Sequence, residues 1–271
     1  MNKRVCLIAF SILSLISFKG NSQELIADLN FDGLFDNREF KNDMLPQTIY
    51  GMRVMPEIGI EYPAENGSHS LMAGFSKIWE FGADDIIDPN IILYYKYNGS
   101  SWTTYFGAIP RGKLQRQLPD AFLYDSIAFF EPTIGGTLIQ YHGSVFESEL
   151  YCNWFSRQTL TDREAFRIVW DGYLGDGMLG GGWFMAMTHF ANTGQHNHFL
   201  YEKFQINPYL SFDLSKGMES NFRLKANAGM LLSIVHWLGR IGQGRASLGW
   251  REHRPRVPIG CRTSHQVCRR S

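Results

Sequence analysis

The chain has 271 residues, with 26 Lys and Arg against 26 Asp and Glu, 14 % aromatic residues and four cysteines. Its zero net charge is two compositions added together: residues 23–239 carry 15 bases against 25 acids, while residues 240–271 carry eight Arg and one acid, Glu252. An acidic body sets nucleic acid aside as a partner, since that binding rests on clustered Lys and Arg, and Cys152, alone in the body, cannot found a disulfide framework.

Residues 1–22 have a basic start (Lys3, Arg4), an apolar run from Val5 to Phe18 and a short polar end with Gly20 and Ser22. This is the layout of a secretory signal peptide cleaved after Ser22. The run is too short for a comfortable spanning helix, and no later one approaches the roughly 18 apolar residues a helix would need. A membrane reading therefore requires a barrel. Residues 23–46 are polar and acidic, and Asp28, Asp32 and Asp36 recur every four residues, the spacing of one side of a helix. A solvated or plugging segment is expected there. A calcium loop is not, because its fixed glycine and closing glutamate are missing.

From Thr48 to Tyr62 the pattern changes to a period of two. Tyr50, Met52, Val54, Pro56, Ile58, Ile60 and Tyr62 alternate with Gly51, Arg53, Glu57, Gly59 and Glu61. Successive side chains of a strand point to opposite faces, so one face is apolar and the other holds glycines and charges. A tilted strand needs only about nine to eleven residues to cross a bilayer. On this pattern Ile58→Lys is expected to damage the fold and Glu57→Lys to leave it nearly normal.

Asn66-Gly67 predicts a tight hairpin. Leu71, Ala73, Phe75, Trp79 and Phe81 then share a face, broken by Lys77. After 82–90, Ile91, Leu93, Tyr95 and Tyr97 share another, Asn98-Gly99 turns the chain, and Trp102, Thr104, Phe106 and Ala108 follow. Residues 111–133 lack clean alternation. Loops beyond about 12–15 residues are usually functional or partly helical, so a constriction or surface loop is expected. Strands resume at 134–142, 145–155, 164–173, 182–191, 203–214 and 221–233, of which the last two alternate best.

About ten neighbouring strands without an amphipathic helix between them specify an all-β, up-and-down antiparallel architecture. The many aromatic side chains decide how it closes. A soluble barrel would have to bury them, whereas a transmembrane barrel places them at two interfaces around a polar lumen. The layout expected is a signal peptide (1–22), a polar segment (23–46), a transmembrane β-barrel (47–235) and an arginine-rich tail outside it (236–271).

The segments FDNREF (35–40), YGMRVMPEIGIEY (50–62), YFGAIPR (105–111) and NWFSRQT (153–159), with the strand ladder and leader, resemble outer-membrane β-barrel proteins of Gram-negative bacteria, in particular porin-like proteins of the Bacteroides group. The resemblance covers residues 1 to about 235. It implies a porin-like channel for small hydrophilic solutes in the cell outer membrane, in contact with its lipid, and carries no catalytic residues. Neither the solute nor the oligomeric state is specified by these patterns.

The polar faces supply the candidate pore-lining residues: Arg53, Glu57, Glu61, Arg111, Glu147, Glu149, Arg167, Asp171, Arg223 and Lys225. Rings of charged side chains tune which ions enter a pore; the bland reading is that they solvate the interior. No nucleophile elbow, zinc-protease helix or phosphate loop is present, so the chain is not expected to be an enzyme, to bind a cofactor or to hold a metal. His196 with His198, and Cys261 with His265 and Cys268, are incomplete ligand sets. Two other functions stay in view. One is a secreted soluble β-sandwich binding carbohydrate at the cell surface; the other is a barrel enzyme acting on lipid through Ser144, His142 or His189.

From Arg240 every base is Arg and the alternation dissolves. The chain ends Cys-Arg-Arg-Ser, where such barrels end on an aromatic residue. A shifted reading frame accounts for all three features, and the barrel is then incomplete at its carboxyl end; a native basic arm is the other possibility.

Overall fold

In the computed structural model, which describes residues 23–37, 48–84, 86–191, 200–216 and 224–238, the alternating stretches are strands. They are β1 (Glu24–Asn37), β2 (Thr48–Ala64), β3 (Gly67–Glu80), β4 (Asn90–Gly99), β5 (Trp102–Pro110), β6 (Thr133–His142), β7 (Phe146–Ser156), β8 (Ala165–Leu174), β9 (Leu179–Phe190), β10 (Leu200–Asp213), β11 (Lys225–Gly229) and β12 (Leu232–Leu238). Each strand from β1 to β11 pairs with the next, antiparallel, in one up-and-down sheet. β11 pairs with Tyr209–Asp213 and β12 with Leu200–Ile206, so these two short strands are halves of one position beside β10, interrupted at Met230 and Leu231. A single sheet is not the pair of packed sheets that a sandwich requires. Among the described residues no ladder joins β1 to the other edge.

The first strand begins at Glu24, ahead of the barrel start expected near residue 47. Asp28 and Asp32 recur every four residues because four is also an even number. They share the inner face of β1, in register with Glu57 and Arg53. The expected helix side is a strand face.

Two-residue turns explain the tight hairpins. Glu65 and Asn66 link β2 to β3, with Gly67 at φ 149°, a conformation that favours glycine. Residues 100–101, 143–145 and 175–178 make the other short turns at this end, whereas residues 81–89, 111–132 and 157–164 connect strands at the opposite end. We call these the turn end and the long-loop end.

The face carrying Ile58, Ile60, Leu71, Phe75, Leu93 and Phe106 is exposed along the sheet. The opposite face is buried, and it is not wholly polar: Met55, Met72, Ile92, Ile109, Ile134, Leu138 and Val169 form an inner core. What buries it is the segment between β5 and β6. A 3₁₀ turn (Arg111–Lys113) starts that segment and helix α1 (Asp125–Phe130) ends it, with Leu118, Phe122 and Phe129 buried. Lys113 bonds Asp28 of β1, and the backbone of Ala121 accepts from Gln205 of β10, so the sheet wraps around this segment from its first strand to its tenth.

Candidate functional site

The interior is a set of hydrogen-bonded charges, several of them in ion pairs. Arg53 donates from Nη2 to Asp32 at 2.5 Å and from Nη1 to the carbonyls of Ala128 and Phe129, at 3.0 and 2.6 Å, where they leave the end of α1. Glu57 accepts from the Tyr94 hydroxyl at 2.7 Å, and Lys113 Nζ lies 3.5 Å from its other oxygen. The Glu149 carboxylate accepts from Gln140 Nε2 at 2.5 Å and from the backbone of Gln115 at 2.8 Å. Arg116 joins Glu147 at 2.6 Å and the buried Asp171 at 2.8 Å. Buried charges persist when paired and hydrogen-bonded; Arg53, Glu57 and Asp171 each have a partner of opposite charge, whereas Glu149 is held by neutral donors alone.

Three of the remaining expected pore residues are held by hydrogen bonds. Glu61 accepts from Ser70 at 2.8 Å, Arg111 donates to the Glu131 carbonyl at 2.6 Å, and Arg167 donates to Thr188 and to the Phe122 carbonyl. Lys225 is exposed, over the Tyr173 ring at 5.1 Å. Arg223 lies outside the described residues, as do His196, His198, the signal peptide and the tail with Cys261, His265 and Cys268. Among the described residues no group of His, Cys, Asp and Glu is arranged to hold a metal ion.

A cleft of about 240 Å³ lies near the turn end, lined by Asp28, Ser70, Tyr94, Lys96, Tyr105 and Lys113 among others. The partners missed from sequence are Lys113, Arg116, Gln115 and Gln140. The first three sit in a segment without periodicity, where no pattern says which way a side chain points. Gln140 is one uncharged residue on a weakly alternating strand.

The three residues entertained for lipid chemistry do not form one site. His142, at the turn end, contacts Thr103 and Gln115 at 3.1 and 3.0 Å, and Ser144 is exposed in the next turn. His189 lies near the long-loop end on the outward face. Its Nδ1 is 3.2 Å from Oε1 of Glu202, directly opposite on β10, and Oε2 of Glu202 is 3.4 Å from His236 Nδ1 on β12. The imidazole of His189 stacks on Phe166, which stacks on Trp154, each at 4.9 Å between ring centres. Glu202 was not singled out from sequence, although it stands on the apolar face of β10, two residues before Phe204; a carboxylate in that position is the signal that could have found it.

A family model described as Lipid A 3'-O-deacylase-type matches residues 18–173. No curated protein and no solved structure gives a significant match. The description is of an enzyme family, and it overturns the expectation that the chain is not an enzyme. That expectation rested on missing linear motifs. A site assembled from single residues on neighbouring strands leaves none.

Proposed function

Because the chain belongs to the Lipid A 3'-O-deacylase-type family, we propose that it is a β-barrel enzyme of the outer membrane that hydrolyses an ester-linked acyl chain of lipid A or a closely similar glycolipid. The family match carries this reading, since it spans β1 to nearly the end of β8. Two features of the fold support it. The apolar face is turned outward, as in membrane barrels. The inner face is occupied by residues 111–132, which removes the reason to expect a porin-like channel for small solutes.

The short turns at one end and longer connections at the other match the periplasmic and extracellular ends of bacterial barrels. On that orientation the long-loop end faces the outer leaflet. Water adds to the ester carbonyl, the sugar oxygen leaves with a proton, and a fatty acid is released.

The test is mass spectrometry of lipid A from a Gram-negative host with and without the protein in its outer membrane. The expected result is a species lighter by one acyl chain. An unchanged acylation pattern, with the protein recovered folded in the membrane fraction, overturns the proposal.

A further inference from the structure

We propose that Glu149 of β7 and Asp171 of β8 share one proton, and that this proton latches the β5–β6 segment into the interior, so that the segment is released as pH rises. The inference stands apart from the deacylase reading and uses neither its substrate nor its chemistry.

The two residues are directly opposite in the register of β7 and β8. Side chains so placed have Cβ atoms about 4.5–5.5 Å apart, which brings two carboxyl groups together. Each residue is 1 % exposed. Each keeps one buried oxygen without a donor, Oε1 of Glu149 and Oδ2 of Asp171, while its other oxygen is satisfied. These two orphaned acceptors have a common remedy. A proton on one group turns it into a donor to the other, and the two side chains are within hydrogen-bond reach of each other.

Charge balance requires the same proton. Among the described residues, Arg116 is the cation within ion-pair distance of the pair, and it serves Asp171 and the part-exposed Glu147 together. Glu149 receives neutral donors, Gln140 of β6 and the backbone N–H of Gln115. With both acids ionised, three carboxylates would face one guanidinium, and two carboxylates sharing a site do not both ionise readily. The other titratable groups around the pair are phenols: Tyr105 on β5, Tyr151 on β7, Tyr173 on β8 and Tyr209 on β10. A phenol is uncharged below about pH 10 and supplies no cation. Arg111 and Arg167, the cations near Tyr151, donate to the carbonyls of Glu131 and Phe122.

Adjacent residues of the segment tie the pair to it. The N–H of Gln115 reaches Glu149 and the guanidinium of Arg116 reaches Asp171, both at 2.8 Å, so the seated segment covers the shared proton. Loss of that proton leaves two buried anions side by side. Their desolvation and repulsion are relieved where the segment lifts away and water reaches them. The seated form therefore binds one proton more than the released form. By linkage, release grows about tenfold per pH unit while the seated form keeps its proton, and levels off once that form ionises too.

The experiment uses the full chain folded in an ester-free detergent, with infrared spectra in D2O and limited trypsin digestion from about pH 6 to about pH 9. The wild type is expected to show the carbonyl stretch of a protonated carboxylic acid near neutral pH, and Glu149→Gln to lose it. Cleavage after Lys113 or Arg116, read by mass spectrometry and corrected with heat-unfolded protein for the enzyme's own pH response, is expected to quicken by roughly tenfold per pH unit in the wild type. Glu149→Gln and Asp171→Asn should flatten this dependence, whereas Glu147→Gln, which leaves the pair whole, should keep it. A wild-type spectrum without the band overturns the inference, as does equal pH dependence of cleavage in the wild type and Glu149→Gln. Should neither variant of the pair fold, the wild type decides alone: its band must fade over the pH range in which cleavage rises. A band that persists while cleavage rises, or fades while the segment stays protected, separates proton from latch and overturns the inference equally.

Discussion

Arg116 reaches out of the segment between β5 and β6 to Asp171 on β8, 2.8 Å away and buried at 1 % exposure. It is the cation for Glu147 as well, so one side chain neutralises carboxylates on two neighbouring strands. Arg116→Met removes that charge and leaves Asp171 buried without it. Breaking a buried pair from one side costs about 3–5 kcal/mol. The heating midpoint of the folded gel band should fall accordingly; a midpoint unchanged from wild type would mean that this pair does not hold the segment.

Phe122 tests the same segment through packing. It is 6 % exposed, its ring lies 6.2 Å from that of Phe184 on β9, and its carbonyl accepts from Arg167. Phe122→Ala keeps the carbonyl and deletes the ring. Loss of a buried Phe costs about 3–5 kcal/mol, less where neighbours collapse into the space. Phe122→Leu should recover most of this in urea unfolding. Equal stability of all three proteins would show that the ring does not fill the interior.

How much of this was legible in sequence depends on which face of the sheet is asked about. The outward face of β2 from Tyr50 to Tyr62 reads directly, because an exposed face with one uniform surround makes the same demand at every second position. The inward face answers to the β5–β6 segment. Met55, between Arg53 and Glu57, is buried in the inner core on the face that looked hydrophilic. Lys113 and Glu57 are 56 positions apart in sequence, and no spacing rule joins them. The His189–Glu202 pair is cross-strand as well, with the connection between β9 and β10 separating its members. Pairings of this kind are set by register, which only the folded sheet supplies.

Residues 111–132 fill the space that a channel would need. Planar bilayers containing the wild-type protein are expected to show no steady single-channel current. Replacing residues 114–130 with a short Gly-Ser linker removes Arg116, Leu118, Phe122 and α1 together. If that protein folds, ion flow should appear, with cations preferred because Glu147, Glu149 and Asp171 lose partners from the segment. Stable current through the wild type would show that the segment leaves a passage.

Neighbouring residues on β2 give the sharpest comparison. Ile58 is 56 % exposed near the middle of a 17-residue strand, facing outward, so Ile58→Lys places a cation where lipid chains would lie. That costs about 2–4 kcal/mol at a bilayer midplane. Alternation alone makes Glu57→Lys benign, on the premise that an inward residue meets water. Glu57 is instead 3 % exposed, accepts from Tyr94 and lies 3.5 Å from Lys113. A lysine there sets two buried cations side by side and takes away the Tyr94 acceptor. The expected penalty is about 3–5 kcal/mol, that of an uncompensated buried charge, and at least equal to that of Ile58→Lys. Glu57→Gln, which can still accept from Tyr94, should lose less than Glu57→Lys. Folded yield and heating midpoint of the three variants decide the matter: if Glu57→Lys matches wild type while Ile58→Lys fails, the interior at this level is water-filled and the packing described around Lys113 is wrong.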